Sequence, residues 1–476
     1  MQISRRNFSL GAMGLGQALA MPACTSRAAK RYDAVVLGAG VSGLHTAHLL
    51  EQAGLSVAVL EARSRVGGRV MTLSDLPGHP EMGFNSMGSA YGRGLDLAKQ
   101  LDVPMAEVGH RYRHGKPPGL YFAGEHLTRE QWAQHAGNPF PAAMKSVMPA
   151  EIAFALASKN PPLADWTQWY AAENGALDIP FAQFLAQQGL SEEAIALAYN
   201  HIPYHGRDAG DVSNLLMAFN SGFVGSQMAA GPESFAAEGG NYKITDAMAA
   251  RLKGDVLLDS PVAAIEPEGK GALVTCRDGA RYAADKIVSS LPLPAFRQIE
   301  LGFDVPKDQA EAHAETPYQP ITIAHLTTSE PFWEQDGQSP SMWSDGFSSQ
   351  VIAQRYGETA DEVTGLMVQA RGNLALEWDE LGQDAVYDRL ISELGKIRPA
   401  TKGKLKPRHF HSWTQEEFSG GAWAYYKAGQ ATRFLAAMAN PVGPVHFCGE
   451  HTEYSARGVE GALASAERAA LEVVPA

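Results

Sequence analysis

Asp33-Ala-Val-Val-Leu-Gly-Ala-Gly-Val-Ser-Gly-Leu44 carries four apolar residues into three spaced glycines, and Val57-Ala-Val-Leu-Glu61 follows after a helix-length segment. The apolar run has the length of a buried strand. The spacing Gly38-x-Gly40-x-x-Gly43 makes a tight turn onto a helix. A strand, a glycine turn, a helix and a second strand ending in an acid form a dinucleotide-binding unit. Glycines remove the Cβ atoms that would hold a pyrophosphate away from the helix N-terminus, where unpaired N–H groups favour an anion. Glu61 stands 21 residues beyond Gly40, where a carboxylate accepts from a ribose hydroxyl. The spacing predicts an α/β fold with a Rossmann-like nucleotide-binding domain.

The nucleotide features recur in three separated pieces. The first spans 31–95. The second, 239–299, opens on Gly239-Gly240-Asn241, continues through an amphipathic helix and then alternates as short strands, with Asp278-Gly279 as a hairpin turn. The third, 440–476, holds Val445-His-Phe-Cys-Gly-Glu450 and a helical tail. The segments 96–238 and 300–439 differ in character. Helical spacing dominates 140–200, and strands are expected over 318–330 and 362–371. We read these two segments as one interleaved α+β substrate domain, crossed twice by the chain, with the ligand held at the seam.

A net charge of −13 without any Lys/Arg-rich block argues against a nucleic-acid partner, because nothing would offset phosphate repulsion. Ser4-Arg5-Arg6-Asn7-Phe8 and the Gly/Ala-rich apolar stretch to Ala23 read as a twin-arginine signal peptide over 1–24, too short and Gly-rich for a stable membrane span. That route carries folded proteins, so a periplasmic enzyme that folds around its cofactor before export is expected. Three cysteines give no disulfide framework. Cys24 loosely resembles a lipoprotein processing site. Met21 and Pro22 fit that pattern poorly, and cleavage near Ala20 or Ala23 is preferred. A membrane partner enters only through lipidation at Cys24.

Beyond Glu61 the chain reads Ala62-Arg63-Ser64-Arg65-Val66-Gly67-Gly68-Arg69, a glycine pair flanked by cations beside a phosphate site. With Glu61 this resembles the second signature of the flavin amine oxidases, the monoamine and polyamine oxidases and their bacterial relatives. Three further stretches fit in order. They are Gly239–Met248, the loop Trp413-Thr-Gln-Glu-Glu-Phe-Ser-Gly-Gly-Ala-Trp-Ala-Tyr-Tyr-Lys-Ala-Gly429, and Phe447-Cys-Gly-Glu-His-Thr452 followed by Gly458-Val-Glu-Gly-Ala462. The resemblance spans about 31–473 and implies FAD.

It also implies roles. Gly38, Gly40, Ser42 and Gly43 would receive the pyrophosphate, with Glu61 and Ala62 at the adenosine ribose. Arg63, Gly68 and Arg69 would lie near the adenosine and phosphates, and Val262 would meet the adenine. Gly88 and Ser89 would approach the isoalloxazine. Gly449 and Glu450 would hold the ribityl-phosphate region. Val459 and Ala462 open the last helix, whose dipole would stabilise charge on reduced flavin. Trp423 matches one wall of the family's aromatic cage, and Trp413 would pack beside the flavin. Apart from the resemblance, Tyr91, Tyr425 and Tyr426 are weaker candidates to line the site or simply fill it.

Three departures stand out. Ala422 precedes the cage aromatic where some members carry a flavin-linked Cys, so dissociable, non-covalent FAD is expected. The opposite cage wall falls on Val459, so a full aromatic sandwich is not expected. The position of the family's Lys beneath flavin N5 falls on Ile323. His325, on the same strand face, is the polar candidate to substitute. The loss makes fast oxygen reduction doubtful and raises a periplasmic redox protein as the electron acceptor. Tyr204, His205 and His201 form a weaker polar cluster, and metal binding there is disfavoured because Pro203 interrupts a helix. No metal site is expected. The favoured function is oxidation of a small amine to an imine by hydride transfer to flavin N5, then hydrolysis. A desaturase or oxidase acting on a carotenoid or porphyrinogen, and a non-catalytic FAD-holding protein, are the alternatives.

Overall fold

The opening motif forms strand β1 (Lys30–Leu37), helix α1 (Val41–Gln52) and strand β2 (Val57–Leu60). The computed structural model describes residues 29–159, 163 and 165–474. The twin-arginine stretch and Cys24 lie outside the described residues. β1 and β2 pair in parallel, with Ala34 opposite Val57 and Leu37 opposite Leu60. Side chains alternate across a strand, so Ala34 and Val36 enter a core with Leu44, Leu50 and Leu463. Val35 and Leu37 enter the opposite core with Ile265, Val274 and Phe447. Burial on both faces explains why the run is continuously apolar. Each such Val or Leu contributes roughly 1.5–3 kcal/mol by leaving water.

Around β1 and β2 grows an eight-stranded mixed sheet. Asp255–Leu257 extends it in parallel beyond β2, and Arg281–Ser289 pairs in parallel with the other edge of β1. Val445–Phe447 lies parallel to Arg281–Ser289. The meander Val262–Glu268, Gly271–Cys276 and Arg281–Ser289 is antiparallel, turning at Asp278-Gly279, where Gly279 takes φ +87°. The Rossmann-like unit is therefore the parallel part of a mixed sheet. Its strands come from three stretches of chain. α1 touches both Gly458–Val473 and Tyr242–Arg251, which share its face of the sheet.

A separate seven-stranded sheet has Ile321–Thr328 between Leu405–Ser412 and Gly365–Arg371, all antiparallel. It continues through Gln350–Gln354 and Met342–Ser344 to Gly119–Phe122, which joins in parallel from far earlier in the chain. Asn373–Leu381 and Gln383–Ile397 supply the buried side chains Trp378 and Leu390 behind it. A helical layer holds Pro149–Ser158, Phe181–Gln187 and Asn214–Ala230 around Trp169 and Phe181. Met87–Gly88 pairs with Ser234–Ala237 in a small third sheet. Among the described residues no helix is long and apolar enough to cross a membrane.

Candidate active site

The glycine turn opens one end of a cavity of about 520 Å³. Gly38 takes φ +95°, and a Cβ there would stand 2.7 Å from Ser290 Oγ, which donates to the Leu37 carbonyl at 2.7 Å. Around the Cα of Gly40, by contrast, an added Cβ would meet no atom within 4 Å. α1 then starts at Val41 with no side chain capping it. An open cradle over an uncapped helix N-terminus fits a dinucleotide phosphate, which is how the residues present match FAD. Gly67 donates to the Ala39 carbonyl at 2.8 Å, which brings the second glycine pair against the first turn. A Cβ on Gly68 would touch Gly40 Cα at 3.4 Å.

Glu61 is buried at the end of β2. Its Oε2 accepts from the Ala39 N–H at 2.8 Å and its Oε1 from the Arg63 N–H at 2.9 Å. The carboxylate is thus aimed by backbone donors before any ligand arrives. Arg63 pairs with Glu416 and donates to Ser419 at 2.9 Å, joining the first nucleotide segment to the loop after Trp413. Arg69 makes a similar bridge, donating at 2.9 Å to both Glu450 and the Ala422 carbonyl. Burial works against the Arg69 charge, but Glu450 and Tyr318 outweigh it and raise its pKa.

Most of the residues picked from sequence converge on this cavity. Its wall includes Gly38, Gly40, Ser42, Glu61, Ala62, Arg63, Gly68, Arg69, Val262, Glu450, Val459 and Ala462, with Tyr91, Trp413 and Trp423. Five others do not line it. Gly43 sits one helical residue too far along. A Cβ there would run into the Gly38 carbonyl, so its smallness serves helix-to-turn packing. Gly88 is the pairing partner of Ser234 and lies against Gln227, while Ser89 donates outward to Glu233 at 2.9 Å. The same stretch instead presents Phe84 and Asn85 to the cavity. Gly449 takes φ +122° and donates inward to Ser465 at 2.8 Å, turning the chain so that Glu450 reaches the wall.

His325 is the fifth. It lies on the face of Ile321–Thr328 that carries Ile321 and Ile323 into the cavity, but one strand repeat further on, beside Gly365. Burial drives its pKa down to about 4. It is a neutral core imidazole and does not line the cavity. Ile323 leaves that wall apolar, with Met367 and Trp413 in the same cluster. Trp413 donates its indole N–H to the Met82 carbonyl at 2.9 Å.

At the far end Trp423 donates to His205 Nδ1 at 3.1 Å. Tyr204 lies beside it, with ring centroids 6.1 Å apart and planes tilted by 36°. A ligand held between two facing rings needs about 7 Å, twice a carbon contact distance. Tyr204 and Trp423 therefore form one aromatic wall rather than a sandwich. Arg371 and Arg457, which no sequence motif singles out, stand against this wall. Arg371 lies 5.6 Å from the Tyr204 ring centre and 5.9 Å from that of Trp423, and Arg457 lies 5.3 Å from Tyr204. Each had a signal. Arg371 ends an apolar strand, and Arg457 immediately precedes the Gly458–Ala462 motif. Tyr425 and Tyr426 are buried behind the wall, bonded to Asp211 at 2.5 Å and to the His451 carbonyl at 3.2 Å. His201 points elsewhere, to the Ser344 carbonyl.

Comparison with known proteins supplies the remaining step. A family model described as flavin containing amine oxidoreductase matches residues 41–474. AofH of Mycobacterium tuberculosis is 29% identical over 466 residues, covering 93% of this chain and 96% of that protein. The flavin-containing amine oxidase B of Homo sapiens is 25% identical over 469 residues, covering 93% of this chain and 86% of its own length. Among solved structures, cyclohexylamine oxidase from Brevibacterium oxydans IH-35A superposes with a TM-score of 0.73 at 25% identity, over 93% of this chain and 98% of that one. A putrescine oxidase redesigned in its cofactor binding gives 0.74 at 25% identity, over 94% and 99%. With a glycine cradle, a buried acid aimed by backbone donors and an aromatic wall in one cavity, the chain belongs to the flavin-containing amine oxidoreductases and is an FAD-dependent amine oxidase.

Proposed function

We propose that this enzyme takes a small amine in its neutral form, oxidises it to the imine and releases the carbonyl product after hydrolysis. One observation carries the reading: a single cavity joins the nucleotide cradle at Gly40 to the aromatic wall at Trp423. Bound FAD supplies the two-electron acceptor for a hydride from the amine's α carbon. The chain's part is to bind, orient and keep the site dry. Among the described residues no His, Lys, Asp or Cys lines the cavity, and its two acids, Glu61 and Glu450, are held by N–H donors and by Arg69. Burial raises the Tyr91 phenol to about 12, so it stays protonated. The walls thus offer no evident base, which suits hydride transfer from an amine that arrives already neutral. Arg371 and Arg457 favour that form, because positive charge nearby lowers an amine's pKa. The names of the relatives, cyclohexylamine oxidase and putrescine oxidase, support a small primary amine.

In this reading 31–95, 239–299 and 440–476 hold the cofactor, and 96–238 with 300–439 forms the substrate side. FAD is held without a covalent link, since Ala422 offers no thiol. The twin-arginine pattern before Ala23 supports export to the periplasm, where oxygen or a redox protein takes the electrons. Anaerobic stopped-flow mixing with an amine panel tests the function. Bleaching of the flavin absorbance is expected, and no bleaching by any amine would refute it. Cell fractionation with N-terminal sequencing of the mature chain tests export.

A further inference from the structure

We propose that Arg371 and Arg457 form an anion subsite beside Trp423, so that the amine this enzyme oxidises carries a carboxylate. The proposal rests on the amine-oxidation reading above and adds the chemistry of the substrate's other end.

Five arginines line the cavity, and their partners divide them. Arg63 is paired with Glu61 and Glu416, Arg69 with Glu450 and Arg277 with Glu417. Arg371 and Arg457 face no carboxylate within ion-pair distance among the described residues. Their partners are neutral amides. Arg371 Nε donates to Gln369 Oε1 at 2.9 Å, and Arg457 Nη1 donates to Asn220 Oδ1. Gln369 and Arg371 lie two apart on one strand, hence on one face. The bond through Nε fixes the guanidinium plane and, among the described residues, leaves both Nη groups of Arg371 without a protein acceptor. That is the free edge a carboxylate takes in a bidentate pair.

Both guanidiniums address the same Tyr204 ring, and both press on His205, whose imidazole burial and their charges keep neutral. Arg457 also precedes helix Gly458–Val473, whose N-terminal dipole adds to the positive field. Two unpaired cations in a partly desolvated pocket are costly unless an anion joins them. An ammonium alone fits poorly, because the aromatic faces that would attract it already meet guanidinium groups. The nucleotide end has its own cations in Arg63 and Arg69. A substrate carboxylate would settle on the arginines and leave its amine-bearing carbon beside the aromatic wall.

Two matched pairs test this on the FAD-loaded enzyme: phenylalanine against 2-phenylethylamine, and 4-aminobutanoate against butylamine. Anaerobic flavin bleaching gives the apparent Kd of each. Calorimetry on the oxidised enzyme, with 3-phenylpropanoate and butanoate, gives carboxylate binding without turnover. At least one carboxylated member is expected to bind about tenfold tighter than its counterpart. Arg371→Gln and Arg457→Gln should each erase that preference and weaken the amine-free carboxylate about tenfold, with partial rescue by Arg371→Lys. Should a glutamine variant fail to fold, Asn220→Asp places an acid beside Arg457 and should weaken carboxylate binding likewise. Equal or tighter binding of the uncarboxylated member in both pairs, or carboxylate binding indifferent to these variants, would overturn the proposal. Arginine-dependent carboxylate binding with no bleaching by any amine would uphold the subsite and refute the amine-oxidation reading instead.

Discussion

Trp423 Nε1 and His205 Nδ1 are joined by a 3.1 Å hydrogen bond that fixes the indole at the cavity wall. The donor comes from the loop after Trp413 and the acceptor from the turn after the π-helical residues Ala196–Asn200. Because Nδ1 accepts, the imidazole proton sits on Nε2. Burial and the charges of Arg457 and Arg371 hold the pKa well below 6.5 and preserve that tautomer. Replacing His205 with Leu removes the acceptor and leaves a buried indole N–H unpaired, a loss of about 1–3 kcal/mol. We expect flavin reduction by amine to slow by roughly 10–100-fold, while Trp423→Phe in the same background adds little further loss. A double-mutant cycle on the stopped-flow rate constants checks this. Full additivity of the two losses would show that the bond does not position the indole.

Gly40 and Gly43 should fail in different ways. Alanine at Gly40 keeps an ordinary φ of −77° but sends its methyl into open cavity, so the flavin-stripped protein should fold and bind FAD at least about tenfold more weakly. Alanine at Gly43 would drive its methyl into the Gly38 carbonyl, so the thermal midpoint itself should drop by several degrees. Thermal unfolding without flavin, beside a flavin titration, separates the two.

Glu61→Ala removes a carboxylate that accepts from the Ala39 and Arg63 N–H groups and faces the nucleotide end. Charge-assisted bonds of this kind are worth about 1.5–3 kcal/mol, so FAD affinity should fall by roughly 10–100-fold. Flavin retained after gel filtration reports the loss. Acid precipitation of the wild type should release all its flavin into solution, as expected for Ala422 in place of a thiol.

Stability should fall as pH drops from about 7 to about 5. Burial sets His325 and His411 at about 4, and holds His205 and His451 well below 6.5. Between the folded and unfolded values the unfolded chain binds more protons, so acid favours unfolding. Glu81 works the other way. Burial raises its pKa from 4.5 to about 7, so the folded state holds its proton and gains stability as pH falls. One carboxyl does not offset four imidazoles. Glu81→Gln should therefore steepen the acid decline and His325→Asn should flatten it, read as thermal midpoints across that range.

Reoxidation by oxygen should be slow. Among the described residues no Lys lines the cavity, and Ile323 occupies the wall with Met367 and Trp413. Mixing reduced enzyme with oxygen or with a cytochrome should favour the cytochrome by at least about tenfold in rate. A fast oxygen reaction would show that the apolar wall is no barrier.

The nucleotide end is legible in the chain because its chemistry is local. Steric need for glycine at Gly38, an uncapped helix start at Val41 and an acid at a strand end are properties of contiguous residues, and so Gly40, Glu61, Arg69 and Glu450 stand where their motifs put them. Alternation and apolar runs likewise mark β1, β2 and Ile321–Thr328. The substrate end is decided only in three dimensions. Whether Gly43 or Gly88 faces a ligand or a neighbour depends on one residue of rotation or pairing. His325 misses the cavity by one strand repeat. Tyr204, Arg371, Trp423 and Arg457 lie on four distant segments, and no spacing links them. The charge that remains beside Trp423 is what is left after each arginine has found, or not found, a carboxylate, and folding alone settles that pairing.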